Sequence, residues 1–368
     1  MWQTGTPQLV RALNRRLVFN LIRAGGEISR AAMVELTQLS KATVSAVVEE
    51  LMGLGLVVEG AVGRGGIGRR PIPLRIDPAG PFLGGLRIGP EEIRAALVDL
   101  RGTIAEELGV PCRPANGESA IRAALEALSE LRARAAAAGR ALLGAGIGVP
   151  GILNPLGDVV LRAPSLGWRD VSLRRILGSA SGLPVWVNDE AKMAALAEAT
   201  VGAGREAEVL LYLDLGPSVG AGLVRRGRLF GGTYAGHLTV LPEGPVCWCG
   251  NRGCLEAVIG ECLGRPAPSG PAVKEAPALL AESGRWLGVA AADLLVLYQP
   301  ELVLLGGSLG REETVLAAVE GEVKRRVMAA LAGPVRILRA AFGEEGVVIG
   351  AAMAVLDGVL GPAPPDLS

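Results

Sequence analysis

The same order of elements occurs twice in this chain, and this repeat constrains the fold more than any other feature. Residues 82–110 have the apolar pattern of three short strands, and a helix is predicted over 118–138. A second series begins with strands at 209–213 and 219–224, followed by a turn at 226–228. Strands followed by helices in this way predict an α/β protein, here with two similar lobes and a cleft between them.

The first 77 residues have a different pattern. Leucines recur at helical spacing near the start, and Ser29 and Ser40 are each placed to cap a further helix. Two short strands then flank a loop of glycines and arginines at 63–70. This order predicts a winged helix-turn-helix, so we place a DNA-binding domain at 1–77.

Charge supports a nucleic-acid-binding role for this domain. Residues 1–77 carry ten basic and six acidic side chains, a net charge of +4 in a chain whose total charge is zero. A helix N-terminus fits into the major groove, and arginines on a glycine loop reach phosphates or the minor groove. The predicted DNA contacts are Ser40, Lys41, Ala42, Thr43, Ser45, Arg64, Arg69 and Arg70. The alternative is a small helical interaction domain with a solvated charged face.

The one histidine of the chain lies close to a cluster of cysteines. His237 precedes three of the five cysteines, which all fall within the segment 247–254. One imidazole and three thiolates complete a tetrahedral donor set for Zn²⁺ and leave no position for a catalytic water. We therefore predict a structural zinc site made by His237, Cys247, Cys249 and Cys254. The alternatives are a polar histidine without a metal and a cysteine redox site.

Several features of the whole sequence narrow the class of protein. No stretch reaches the ~18 uninterrupted apolar residues of a membrane span, and no charged-then-apolar leader opens the sequence. An odd number of cysteines with a metal-like cluster fits a reducing compartment better than a disulfide framework. We expect a cytoplasmic protein without a membrane partner, in which a first lobe at 78–200 and a second at 201–368 follow the DNA-binding domain. The final helix is a candidate for packing back on the first lobe.

Five short motifs resemble those of the ROK family (repressors, open reading frames and kinases), in the same order and over essentially the whole chain. They are Gly148-Val149-Pro150-Gly151, Ala163-Pro164-Ser165-Leu166-Gly167-Trp168, Val187-Asn188-Asp189, Gly236-His237 and Cys247-x-Cys249-Gly250-x-x-Gly253-Cys254-Leu255-Glu256. The cysteine motif is the most specific of the five. The resemblance implies an actin-like, hexokinase-type ATPase fold for the two lobes and, as in the family's repressors, an N-terminal winged helix-turn-helix.

The resemblance also implies a sugar site. The residue that matches Asp189 is the catalytic base of the family's kinases, and the residue that matches Asn188 binds the sugar. The residues that match His237 and Glu256 hydrogen-bond sugar hydroxyls, so that His237 would bind zinc through one ring nitrogen and the sugar through the other. Asp189 is on this basis a vestigial catalytic base. The alternative is that Asn188 and Asp189 only cap the following helix.

The chain departs from the family pattern at the phosphate loops. An Asp-x-Gly-Gly-Thr-like loop of the kinases is replaced by Arg87-Ile88-Gly89-Pro90-Glu91-Glu92, where proline lacks an N–H donor and two carboxylates repel phosphate. The second loop, Gly216-Pro217-Ser218-Val219-Gly220, loses another donor to proline, and Tyr234 replaces a sugar-binding glutamate of the family. Each missing phosphate contact lowers the rate ~10²-fold or more. We therefore expect neither ATP as a cofactor nor enzymatic activity.

Three functions are compatible with these features. The favoured one is a DNA-binding regulator of sugar metabolism, a repressor, whose lobes sense a small sugar and whose homodimer or tetramer reads operator DNA. The second is an active ATP-dependent sugar kinase of the ROK family that also binds DNA, which Asp189 favours and the altered loops oppose. The third is a regulator controlled by a protein partner, with a vestigial sugar pocket, which Tyr234 favours.

Overall fold

The structure, a computed structural model, describes residues 6–61, 72–112, 117–216, 218–230, 234–264, 276–327 and 335–361. Within these residues the chain forms two five-stranded sheets and two three-stranded sheets. None of their helices combines the length and the apolar character that a membrane span requires.

Three helices and a small sheet form the N-terminal unit. Its elements are α1 (Pro7–Gly25), β1 (Ile28–Ser29), α2 (Arg30–Thr37), α3 (Lys41–Gly53), β2 (Val57–Glu59) and β3 (Pro73–Ile76). The side chains of Thr6, Ser29 and Ser40 cap the three helices, since each accepts a hydrogen bond from an N–H of the first turn. β3 pairs with β1 on one side and β2 on the other, an arrangement that agrees with the predicted winged helix-turn-helix. The predicted wing loop at 63–70 lies outside the described residues.

Two larger groups of elements follow. The first contains β4 (Phe82–Ile88), β5 (Glu92–Val98), β6 (Ile104–Pro111), α4 (Gly117–Ala137), β7 (Leu142–Val149), β8 (Ile152–Leu153), β9 (Val160–Ala163), β10 (Trp168–Val171), α5 (Leu173–Ser181), β11 (Val185–Asp189) and α6 (Glu190–Thr200). The second contains β12 (Val209–Leu215), β13 (Val219–Arg225), β14 (Arg228–Leu229), α7 (Leu255–Cys262), α8 (Pro277–Tyr298), β15 (Leu302–Gly306), α9 (Gly307–Gly310), α10 (Glu313–Arg326), β16 (Arg336–Arg339) and α11 (Glu345–Leu360).

The two five-stranded sheets have the same topology. Their strand orders are β11-β7-β4-β5-β6 and β14-β13-β12-β15-β16. In each, a three-stranded antiparallel meander is extended by two parallel strands, and parallel strands need crossover connections such as helices. The two similar lobes predicted from the repeated elements are therefore present. The exact domain boundaries at 77/78 and 200/201 stay a prediction.

Helices α6 and α11 lie side by side in the interior. α6 is buried from Ala191 to Ala199, because it packs against both α11 and the second lobe's sheet. Five of its eleven residues are alanine, which allows this close packing. α11 packs on β4 and β7 of the first lobe and also contacts α1. A Cβ atom added at Gly350 of α11 would lie 1.7 Å from the carbonyl oxygen of Met193 in α6. Backbone contact of this kind requires glycine and fixes the position of α11.

Candidate functional site

A cavity of about 410 Å³ lies where the carboxyl ends of strands from both sheets meet. Residues at the ends of β4, β7, β11, β12 and β15 contribute to its lining. In open α/β sheets, ligands bind outside the carboxyl ends of the strands. The topology thus places the cleft at the expected site and brings Asp189, His237 and Glu256 to its wall.

Asp189 lies at the end of β11 and caps α6. Its Oδ1 accepts a hydrogen bond from the Lys192 backbone N–H at 2.9 Å, and its Oδ2 pairs with the Lys192 ammonium at 2.5 Å. Both side chains are buried. The Lys192 ammonium therefore balances the charge of the Asp189 carboxylate, the group that matches the catalytic base of the family's kinases. Asn188 is half-buried, accepts a hydrogen bond from the Asp189 N–H and does not line the described cavity.

A second carboxylate, the half-buried Asp214, faces the same cavity and was not predicted. It lies near the end of β12, where the hydroxyl of Tyr212 donates a hydrogen bond to it at 3.2 Å. Burial raises the pKa of the Asp214 carboxyl from 3.8 to about 6, and the charge of Glu190 adds to the rise. A lone acid between two leucines of a buried strand was the sequence signal for it.

The pKa of Asp214 predicts a pH dependence of stability. An acid whose pKa is raised on folding binds more protons in the folded state, so its contribution to stability falls as the pH rises from 3.8 to about 6. We expect the stability of Asp214→Asn, relative to the wild type, to increase over this range and then to level off. Chemical denaturation of both proteins at several pH values measures the difference. A difference that does not change with pH would contradict the assignment.

Charged side chains of the segment 87–92, which replaces the expected first phosphate loop, occupy one side of the cleft. The guanidinium of Arg87 pairs with Glu190 at 2.8 Å. Glu91 and Pro90 line the cavity, whereas Glu92 pairs with Arg94 at 3.3 Å and lies outside the cavity lining. Phosphate would have to displace this ion pair and approach a carboxylate.

In the second altered loop, residues 216–220, the backbone N–H of Val219 already donates a hydrogen bond within the protein. The Val219 N–H donates to Oε2 of Glu256 at 3.0 Å, and the indole N–H of Trp248 donates to Oε1 of the same carboxylate at 2.6 Å. Pro217 lies outside the described residues. Glu256 is therefore held by a phosphate-loop amide and an indole, and Trp248 is a further cavity residue that the sequence reasoning missed.

The four predicted metal ligands lie together beside the cavity. Their donor atoms are all within 4.8 Å of one another. His237 Nδ1 is 3.6 Å from Cys247 Sγ, and Cys249 Sγ is 3.7 Å from Cys254 Sγ. Zinc–sulfur bonds of 2.3 Å imply about 3.8 Å between donors of a tetrahedral site. The donor set and its spacing therefore fit a tetrahedral metal ion.

Local backbone and electrostatics also suit a metal. Gly253 has a φ of +65°, and a Cβ there would lie 1.5 Å from the Leu241 carbonyl oxygen, so the loop can turn tightly only with glycine. Burial raises the pKa of the Cys254 thiol to about 12. A cation is what converts such a thiol into a thiolate at neutral pH. Burial lowers the pKa of His237, which keeps the imidazole neutral as a ligand requires.

Tyr234 joins the two lobes across the cleft. Its hydroxyl donates to the Leu153 carbonyl oxygen at 2.9 Å and accepts from the Leu153 N–H at 3.1 Å. The Lys192 ammonium lies 4.4 Å from the centre of its ring. The tyrosine that replaces a family glutamate is thus fully engaged with the first lobe.

These cross-cleft hydrogen bonds predict a stability difference. Tyr234→Phe keeps the ring but leaves both Leu153 groups without their partner, so we expect the free energy of unfolding to fall by about 1–3 kcal/mol. Tyr298→Phe is the matched control, because Tyr298 is 37% exposed at the end of α8. Urea denaturation compares the two variants. Equal stabilities would show that the Tyr234 hydroxyl contributes nothing.

The predicted DNA-contacting residues lie at the start of α3. Ser40, Lys41, Ala42 and Ser45 are exposed, and Thr43 is half-buried and donates its backbone N–H to Ser40 Oγ at 3.1 Å. Val44, Val47, Val48 and Leu51 are buried on the opposite face. Arg64, Arg69 and Arg70 lie outside the described residues. The start of α3 is therefore available to a ligand.

Comparison with known proteins connects this geometry to a family. The ROK family profile matches residues 83–263 and 271–357. The xylose repressor of Caldicellulosiruptor bescii is 31% identical over 337 residues, which are 82% of this chain and 84% of that protein.

Two solved structures share the fold. The ROK family transcriptional regulator described as a homologue of the E. coli MLC protein has a TM-score of 0.79 at 24% identity, and the match covers 95% of this chain and 98% of that one. The ROK hexokinase from Thermus thermophilus has a TM-score of 0.62 at 30% identity and covers 75% of this chain and 100% of its own. Because the family profile spans both lobes and the cysteine motif, this chain belongs to the ROK family.

Proposed function

We propose that this protein is a DNA-binding transcriptional repressor whose cleft binds an unphosphorylated sugar. One observation carries the proposal: the chain combines a predicted winged helix-turn-helix with a ROK cleft in which the Arg87–Glu190 ion pair stands where a kinase would bind phosphate. A relative named as a xylose repressor matches 82% of the chain, which supports the same assignment.

The N-terminal unit is the proposed reading head. Ser40, Lys41, Ala42, Thr43 and Ser45 at the start of α3 enter the major groove, and Arg64, Arg69 and Arg70 of the wing contact phosphates or the minor groove. A homodimer or tetramer presents two such heads to two half-sites of an operator. Affinity should fall steeply with salt, since basic side chains contact phosphates.

The charge of the cleft selects the ligand. Six carboxylates and one guanidinium are among the described residues that line it: Arg87, Glu91, Asp189, Glu190, Asp214, Glu256 and Glu344. Negative potential opposes sugar phosphates and nucleotides, whereas carboxylate oxygens accept hydrogen bonds from hydroxyls. We propose Asp189, His237 and Glu256 as sugar contacts, with His237 donating from Nε2 because Nδ1 faces the cysteines. Asn188, the fourth contact that the resemblance implies, lies outside the described lining, and its Oδ1 accepts from the Asp189 N–H, so it is not part of this proposal.

We also propose that His237, Cys247, Cys249 and Cys254 hold a structural Zn²⁺. Four protein donors fill a tetrahedral site and leave no place for an activated water. The ion fixes the loop that carries Trp248 and the ring of His237, and so shapes one wall of the sugar site.

The proposal excludes phosphoryl transfer as the function. A kinase needs a free carboxylate beside the attacking hydroxyl and donors around the phosphoryl group. Here Asp189 is paired with Lys192, Arg87 is paired with Glu190, and Val219 donates to Glu256. The retained Asp189 and the 30% identity to the ROK hexokinase from Thermus thermophilus favour a kinase. ADP release with pentoses and hexoses that Asp189→Asn abolishes would establish that second function instead.

Fluorescence anisotropy on the DNA upstream of the protein's own gene tests the proposal. We expect salt-sensitive, specific binding that D-xylose or D-glucose weakens at concentrations where their phosphates have no effect. Lys41→Glu is expected to weaken binding to that DNA without changing sugar affinity. Absence of specific binding with every sugar would refute the repressor assignment. If a sugar phosphate weakens DNA binding more than the free sugar does, the carboxylates of the cleft do not exclude phosphorylated ligands, and that part of the proposal is refuted.

A further inference from the structure

Helix α11 reaches from the cleft to the DNA-binding domain. At its start, Glu344 and Val347 line the cavity. At its end, Asp357 and Leu360 lie against α1. The helix has 16 residues, which at 1.5 Å per residue is a length of about 24 Å.

Two arginines of α1 hold the end of α11. Arg15 donates from Nε to the Leu360 carbonyl oxygen at 3.2 Å and from Nη2 to the Gly361 carbonyl oxygen at 2.7 Å. Arg16 donates to the Asp357 carbonyl oxygen at 2.9 Å and forms an ion pair with its carboxylate. The last carbonyls of a helix lack partners within the helix and carry partial negative charge, so arginines bind them well.

Arg15 has a third contact that extends the connection to α3. Its Nη1 forms an ion pair with Glu50, which lies in the last turn of α3. The Arg15 side chain is only 16% exposed, so these charged hydrogen bonds are shielded from water. One side chain therefore contacts both the end of α11 and the proposed recognition helix.

The middle of α11 transmits displacement because it cannot deform easily. Its backbone touches α6 at Gly350, and the carbonyl oxygen of Ala351 lies 1.8 Å from where a Cβ of Gly146 in β7 would be. Close backbone packing resists compression, so a shift at one end is carried as a rigid-body movement. α6 itself begins at Glu190, directly after its capping residue Asp189, a proposed sugar contact.

We propose that Arg15 is the positioning residue that couples sugar binding in the cleft to the orientation of α3, through α11. The inference rests on the proposed function, since it names how the sugar site regulates DNA binding. Sugar that moves the start of α11 shifts its end and, through Arg15 and Glu50, the reading head. The fork of Arg15 makes both contacts at once, and a lysine has no such geometry.

Arg15→Lys and Arg11→Lys form a matched pair of variants. Both keep the charge of the domain, and Arg11 also pairs with Glu50, at 2.9 Å, but it is 68% exposed and makes none of the carbonyl contacts to α11. Anisotropy gives the ratio of operator affinities without and with D-xylose. For the wild type and Arg11→Lys we expect a ratio of about 5- to 150-fold, the usual range of allosteric coupling. For Arg15→Lys we expect a ratio close to one, with affinity in the absence of sugar retained.

Amide hydrogen exchange gives a readout that does not depend on the sugar. We expect the amides at 343–349, which include the start of α11, to exchange faster in Arg15→Lys than in the wild type or Arg11→Lys. Unchanged exchange would overturn the proposal, and so would an affinity ratio in Arg15→Lys as large as that of a wild type that responds to D-xylose. If the wild type binds DNA but does not respond to D-xylose, the proposed effector is wrong, and the exchange experiment still decides the coupling.

Discussion

Replacing Cys254 by serine is expected to lower the melting temperature by more than about 5 °C. A loss of ~1 kcal/mol of stability lowers the melting temperature by about 2–4 °C for a domain of 150–250 residues. Cys254 is fully buried, and backbone hydrogen bonds join the segment around it to residues 238–241. Structural zinc sites contribute ~10–16 kcal/mol to folding in small zinc domains. Loss of one of the four ligands removes a large part of this zinc contribution to the free energy of folding.

Cys262→Ser is the matched control, because Cys262 lies outside the cluster at the end of α7 and is half-buried. Elemental analysis should find one zinc per chain in the wild type and in Cys262→Ser, and none in Cys254→Ser. Thermal unfolding with and without a chelator completes the test. A chelator that leaves folding and sugar response unchanged would refute the zinc assignment and its connection to the cleft.

The second large effect concerns Gly350, at the contact of α11 with α6. Gly350→Ala places a methyl group 1.7 Å from the Met193 carbonyl oxygen and 2.5 Å from its carbon, both backbone atoms that no side-chain rotation can relieve. We expect α11 to be pushed away from α6 and the free energy of unfolding to fall by about 3 kcal/mol or more.

Gly321→Ala is the control with the opposite expected sign. Gly321 lies inside α10, and a Cβ there would have no other atom within 4 Å. Alanine is the better helix former, so this variant is expected to be more stable by about 0.5–1 kcal/mol. Urea denaturation of both variants measures the two shifts. Stabilisation of Gly350→Ala would mean that α11 is not in backbone contact with α6.

Elements with strong local patterns were predicted closely from the sequence. The three short strands predicted within 82–110 are β4, β5 and β6, and the helix predicted over 118–138 is α4. β4 and α4 have clear signals, since β4 is apolar on both faces and α4 repeats alanine and leucine at helical spacing. The metal ligands were predictable for a similar reason, because three of the four lie within one short loop.

Contacts between distant segments were not predictable in this way. Arg87 and Glu190 are 103 residues apart, and only the converging strand ends bring them together. Lys192 is three residues from Asp189, a spacing visible in the sequence, but its burial follows from the position of α6 between other elements. The role of α11 depends likewise on packing, because its sequence is apolar along nearly its whole length and so does not indicate which face meets which neighbour.

The intrinsic fluorescence of Trp248 is a probe of the cleft, because the indole lies in its wall. The ring packs edge-on against His237 with 4.7 Å between ring centres, donates to Glu256, and has Arg162 of the first lobe 5.3 Å from its centre. Indole emission responds to charge and hydrogen bonding around the ring, and here those groups come from both lobes. The difference in emission between the wild type and Trp248→Phe would therefore record occupancy of the cleft and the approach of the lobes in one spectrum, without a dye or a labelled sugar.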